Sequence, residues 1–317
     1  MLRSVKNTLI FWTCRALLAL GGRLPAGAAR WLGSMLGRTA WRCARRARKL
    51  AESHAAVAAA HARGFDARAA VHGAFVEAGR CLAEIALLLA GRLDVLEATA
   101  MDDASRASLG DALAEGRGVV YVTAHLGHWE LMAAGLTARG FPITTIARES
   151  YDPRFTTLYE RLRAPRRVES IYRGAPGSAA KMLRALRSGS VLGMLLDQSI
   201  DVPSVEVPVF GRPASTPRGA AEIALRTGAE VVAGFVHRGP DGRHHIVVRR
   251  LPIDRERRDL AAVVAATAAM TRAIEEAIAE HPDQYFGWLH DRWRPTTSGP
   301  ARAAEAQAAD HSTGVSA

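Results

Sequence analysis

Residues 116–131 read GRGVVYVTAHLGHWEL. A glycine turn leads into a short β-branched run ending near Thr123, the signature of a buried strand. His125, His128, Trp129 and Glu130 follow at once. A helix is expected from about residue 128 to 138, with Gly140 as its stop. A strand that gives way to a helix, with scarce polar side chains gathered in the turn, is the unit of an open α/β sheet. Ligand sites in such sheets favour the carboxyl ends of the strands.

The flanking chain repeats the unit. FPITTIAR (141–148) and SVLGMLLDQ (190–198) read as strands, with KMLRALRSG (181–189) as a helix before the second. In 205–238 a strand or loop is followed by a helix and a strand, with Thr216 as a natural N-cap, Pro217 as the first helical residue and Gly228 as the end. GPDGR (239–243) turns between the strands EVVAGFV and HHIVVRR, and a long helix follows over about 257–280. Residues 27–92 read as helical, broken near Gly64. Strands alternating with helices predict an α/β fold, a sheet covered by helices.

His125 and Glu130 are five apart, so on one helix they would point ~140° apart. With His125 in the turn and Glu130 in the helix's first turn, the imidazole can fold back over the carboxylate. The carboxylate would hold Nδ1–H and leave Nε2 to take a proton from a hydroxyl. The competing reading is a histidine merely satisfied by a helix-start carboxylate. His237, His244 and His245 flank a turn and read as surface residues. His54 and His61 could share a helix face, but no third ligand is in view.

The chain has 317 residues and a formal net charge of +11. The first fifty residues hold eleven Lys or Arg and no Asp or Glu, which leaves 31 basic against 31 acidic residues in the rest. A basic arm on a neutral body points to an anionic surface, lipid headgroups or nucleic acid. TLIFWTCRALLAL (8–20) is interrupted by Arg15 and falls short of the ~20 apolar residues of a spanning helix. It reads as a helix lying in the membrane interface, with a single span as the alternative. The arginines at 42–49 place the body on the cytoplasmic side. A nucleic-acid binder would carry charge on the folded body and aromatics among the basic residues. Trp12, Trp31 and Trp41 are present, but the apolar run favours lipid. Cys14, Cys43 and Cys81 show no CxxC spacing, so neither a disulfide framework nor zinc is expected. GxSxG is absent, and GAPGSAAK (174–181) is not a P-loop.

Six blocks in order carry a resemblance. HLGHWE (125–130), ARESYDP (147–153), ERLR (160–163), LLDQ (195–198), VPVFGRPASTPRGAAEIALRTGAEVV (207–232) and HPDQYFGWLHDRW (281–293) resemble the blocks of the lipid A biosynthesis (lauroyl/myristoyl) acyltransferase family, a branch of the HX4D/E acyltransferases. The likeness covers roughly residues 1–296. His128 and Asp152 stand where the family has Asn, and SID follows Gln198 where the family has a second acid.

The resemblance implies a mixed sheet covered by helices, as in glycerol-phosphate acyltransferases. It implies acyl transfer from acyl carrier protein to a lipid hydroxyl, a lipid A precursor first, on the cytoplasmic face of the inner membrane, without cofactor, metal or nucleic acid. Another glycolipid or amino-lipid acceptor is the alternative. His125 would be the base and Glu130 its orienting partner. Substrate or oxyanion contacts would come from Arg148, Arg163 (or Arg161), Asp197, Gln198, Thr216, Arg218 and the amides of the 125–128 turn. The implied organisation is an anchor helix over 1–25, an acyltransferase domain over 26–296 and a disordered tail over 297–317.

Overall fold

The computed structural model describes residues 2–62 and 64–294. The expected tail, 297–317, lies outside the described residues. Four helices come first: α1 (Leu2–Gly21), α2 (Ala26–Cys43), α3 (Arg45–Ala62) and α4 (Ala67–Leu89). The rest alternates: α5 (Val95–Ala98), β1 (Thr99–Met101), α6 (Asp103–Ala114), β2 (Val119–Thr123), α7 (Trp129–Ala138), β3 (Ile143–Ala147), α8 (Pro153–Arg163), β4 (Glu169–Tyr172), α9 (Ser178–Arg187), β5 (Val191–Leu195). It ends with β6 (Ser204–Val209), β7 (Arg212–Pro217), α10 (Gly219–Thr227), β8 (Glu230–Arg238), β9 (His244–Arg250) and α11 (Leu260–Glu280).

Seven strands form one mixed sheet in the order β1-β9-β8-β2-β5-β3-β4. Every neighbouring pair is parallel except β8 and β9. Side chains alternate across a strand, so each face packs its own helices. Val119, Tyr121 and Val191 meet Met132 and Leu136 of α7 and Leu109 of α6. Val120, Val122 and Leu192 face the layer holding α10 and α11. β2 is buried at every residue, which accounts for its unbroken apolar run.

Two segments differ from expectation. Residues 204–217 form a separate antiparallel hairpin, β6 with β7. Thr216 therefore sits in a strand, and α10 begins at Gly219 with Arg218 at its N-cap. Strand geometry through Pro213 and Pro217 is tolerated because the hairpin is only two strands wide and offers free edges. His244 is fully buried and not a surface residue; its Nε2–H donates to Glu84 at 2.8 Å.

The helical layer is tied to the sheet by charge. Glu84 of α4, wholly buried, also accepts from Arg30 Nε (2.7 Å) and from both Arg238 Nη groups (2.9 Å each). Arg238 reaches Glu77 as well, at 2.8 Å. Burial alone would push the Glu84 carboxyl up; the bonds from His244 and Arg238 outweigh it and hold it well below the usual carboxylate range. α2 and α4 cross at glycines, where a Cβ on Gly33 would fall 2.3 Å from the Gly79 carbonyl oxygen.

Removing Glu84 would leave Arg238 charged and buried without its main partner. Glu84→Ala is expected to cost about 3–5 kcal/mol of stability, read as a lowered midpoint in denaturant unfolding. An unchanged midpoint would show that the cluster does not hold α4 to the sheet.

Candidate active site

β2 delivers the chain to the carboxyl end of the central strands, and the next five residues build the site. Gly127 has a left-handed backbone (φ +57°), and a Cβ there would lie 2.1 Å from the Val236 carbonyl oxygen. Only glycine meets both conditions. The turn is fastened from outside: the Gly127 amide donates to the Gln284 carbonyl (2.9 Å), and the Phe286 amide to the His125 carbonyl (2.8 Å). His128 then caps α7, its Nδ1 accepting the Leu131 amide at 3.2 Å. Burial pulls the His128 imidazole down to about 3, so it is a neutral cap.

His125 is held by Asp197. Its Nδ1–H donates to the two carboxylate oxygens at 2.9 and 3.1 Å, and its backbone amide donates to one of them at 3.1 Å. The pair comes from neighbouring strands: β2 and β5 are parallel and in register from Val119↔Val191 to Thr123↔Leu195. Two residues beyond each strand end lie His125 and Asp197. Burial pulls the imidazole down, but the charge and hydrogen bond of Asp197 and the charge of Glu130 outweigh it, so its pKa is raised. The buried Asp197 carboxyl would rise with burial and is lowered instead, chiefly by His125. The imidazole also packs edge-on to Trp129, ring centroids 5.0 Å apart.

The expected His125–Glu130 hydrogen bond is replaced by this pair. Glu130 points instead to Arg163 of α8, which donates through Nε (2.8 Å) and Nη2 (2.5 Å). The remaining Nη1 of Arg163 bonds Thr145 (3.2 Å) and Ser170 (2.8 Å). Arg163 is thus a strut between α7, β3 and β4 and not a free oxyanion donor. Two amides of the 125–128 turn, those of His125 and Gly127, are likewise engaged.

A cavity of about 620 Å³ opens beside His125. His125, Glu130, Arg148, Arg163 and Gln198 line it. Its inner part runs between α7 and the sheet, walled by Tyr121, Met132, Leu136, Ile143 and Val191. Arg161 is exposed and outside the lining. Thr216 is buried away from it, accepting from Arg292 Nη2 at 2.6 Å, and Arg218 pairs with Glu222 at 3.0 Å. Arg292 also binds Ser199 and the Ser215 carbonyl, each at 2.8 Å, and so fixes the chain after Asp197. Arg173 lines the cavity and was not foreseen; neither it nor Arg148 makes a salt bridge among the described residues. Cys81, Glu84 and His128 lie close enough to share a metal ion. The Glu84 oxygens, however, are taken by Arg30, Arg238 and His244.

Residues 2–295 match the profile of the bacterial lipid A biosynthesis acyltransferases. The chain is similar to the phosphatidylinositol mannoside acyltransferases of two Mycobacterium tuberculosis strains, CDC 1551 / Oshkosh and ATCC 25618 / H37Rv. Each is 29% identical over 196 residues, which is 61% of this chain and 60% of the relative. The aligned region thus spans about three fifths of these curated relatives. The family match runs through both strand ends that build the His125–Asp197 pair, and the chain belongs to the bacterial lipid A biosynthesis acyltransferase family.

Proposed function

We propose that the protein transfers a fatty acyl chain from a thioester to a hydroxyl of a membrane glycolipid. The observation that carries this is the His125–Asp197 pair at the wall of a deep, largely apolar cavity. His125 Nε2 takes the hydroxyl proton as the oxygen attacks the thioester carbonyl. The tetrahedral intermediate expels the thiolate, which recovers the proton from the imidazolium. Asp197 fixes the tautomer and stabilises that imidazolium. Gln198, next to Asp197 on the cavity wall, brings an amide donor for the oxyanion. The inner apolar part takes the acyl chain. Arg148 and Arg173 suit an anionic group such as the phosphate of a carrier arm or of the acceptor.

The family favours acyl carrier protein as donor and a lipid A precursor as acceptor. The mycobacterial relatives favour a phosphatidylinositol mannoside. Incubating the purified protein with acyl carrier protein thioesters and each acceptor, with mass spectrometry of the lipids, separates the two. A single added acyl group on the lipid A precursor alone is the expected result. Addition only to the inositol mannoside would move the acceptor, and addition to neither would defeat the proposal.

The base must be neutral to act, and its pKa is raised above 6.5. Activity should therefore fall on acidification, with the midpoint of the acid limb above that value. Asp197→Asn removes the charge that raises it, so the limb should move to lower pH while the plateau drops ~10²–10⁴-fold. His125→Ala should lose transfer by a similar factor and keep its fold. The check is a pH profile of kcat/KM for the three proteins. An acid limb that Asp197→Asn leaves in place would sink the pairing.

We also propose that α1 and α2 seat the protein on the cytoplasmic leaflet of the inner membrane. Among the described residues no helix is long and apolar enough to cross a membrane. What supports interfacial seating is the exposure of large apolar side chains on both helices: Leu9 (68% exposed), Trp12 (54%), Leu17 and Leu20 on α1, and Trp31 (64%) and Leu36 on α2. Anionic lipid would add ~1 kcal/mol per nearby Lys or Arg, screened by salt, while apolar insertion is not. High salt should release the protein from anionic vesicles only in part, and Trp12→Ser with Leu17→Ser should make that release complete. Full release of the parent by salt would leave only electrostatic attachment.

A further inference from the structure

Gly193 lies in the middle of β5, opposite Tyr121 of β2 and Thr145 of β3. Strand interiors favour β-branched or aromatic residues, and a glycine there marks the close approach of a backbone or a ligand. No backbone crowds this one. A Cβ on Gly193 would meet nothing closer than 3.8 Å, at the Thr144 carbonyl oxygen and Thr145 Cγ2. The neighbouring large ring turns away: Tyr121 leans over Gly234 of β8, where a Cβ would fall 1.9 Å from its Oη, and that hydroxyl reaches Met132 Sδ at 3.4 Å. Two glycines on opposite sides of β2 thus do different work. Gly234 receives the ring; Gly193 leaves a bare patch of sheet beside Thr145 in the wall of the cavity, whose lining also includes Val191, Ile143 and Met132.

We propose that Gly193 sets the length of the acyl chain: the far end of the chain lies across the bare patch, and the missing side chain is the space its last methylenes occupy. The inference rests on the acyl-transfer reading for its ligand, a saturated hydrocarbon tail. The backbone at Gly193 lies outside the left-handed region, so larger residues fit without strain. Alanine, valine and leucine would fill the patch in steps.

The test is the series Gly193→Ala, Gly193→Val and Gly193→Leu, each confirmed as folded by its thermal melt. Transfer is measured from octanoyl, lauroyl and palmitoyl thioesters, and binding of the matching free fatty acids by the rise in melting temperature. Octanoyl transfer should persist while the palmitoyl-to-octanoyl ratio falls stepwise, roughly fourfold per methylene displaced and on the order of a hundredfold for leucine. Palmitate should stabilise the parent and not Gly193→Leu. A folded Gly193→Leu protein with the parent's chain-length ranking, or one that loses octanoyl and palmitoyl alike, overturns the assignment. If the parent transfers no acyl chain at all, the proposed function fails, and the binding arm still decides the role of Gly193. Equal stabilisation of parent and Gly193→Leu by palmitate, or none of the parent by any fatty acid, overturns it.

Discussion

The site depends on a steric constraint at one residue. Gly127 must take a left-handed backbone in a place where a Cβ would overlap the Val236 carbonyl. That turn ends β2, starts α7 and directs His125 to Asp197 and Glu130 to Arg163. It is braced by the segment after α11, through the Gln284 and Phe286 contacts. The C-terminal block is therefore part of the frame of the candidate site although it supplies no residue to the His125–Asp197 pair. The same frame roofs the cavity, because α7 begins where the turn ends.

Three buried or nearly buried carboxylates around this frame show how charge is managed inside the fold. Asp197 meets an imidazole and a backbone amide, and its partner stays free to titrate at the cavity wall. Glu130 meets a guanidinium in a two-pronged pair, which fixes geometry. Glu84 meets two guanidiniums and an imidazole and is purely a fastener. Both imidazole partners keep a ring nitrogen without a hydrogen bond among the described residues, but His244 Nδ1 is sealed in the interior whereas His125 lines the cavity. That difference separates the chemical pair from the structural ones.

Much of the fold was legible because local signals were strong. The unbroken apolar run of 119–123 and the glycine stops at 140, 189 and 228 marked strands and helix ends within a few residues. β1, β4 and α8 were not anticipated: the strands have only three and four residues, and α8 is polar along most of its length. The hairpin at 204–217 was half hidden by its prolines. At the site, the identities of His125, Glu130 and Asp197 could be read, but not who pairs with whom. His125 and Asp197 are 72 residues apart, and their contact follows from the β2–β5 register, which one sequence does not display. His244 reads as exposed because it stands beside a turn, whereas its strand turns it inward against Glu84 of α4.

The strand order has a consequence for how this architecture can diversify. β5 lies between β2 and β3, so the chain leaves the centre of the sheet after α7, builds β3, α8, β4 and α9 on one flank, and returns beside its starting strand. The His125–Asp197 spacing is set by the ladder between β2 and β5 and not by the length of that excursion. Residues 143–187 form a wing, laddered to β5 through β3 and tied to α7 by Arg163. They supply one wall of the cavity, including Arg148 and Arg173. Insertions or exchanges in this wing can reshape what the cavity accepts while the proton-transfer pair keeps its geometry. On the proposed reading, substrate range and proton transfer would rest on different parts of one chain.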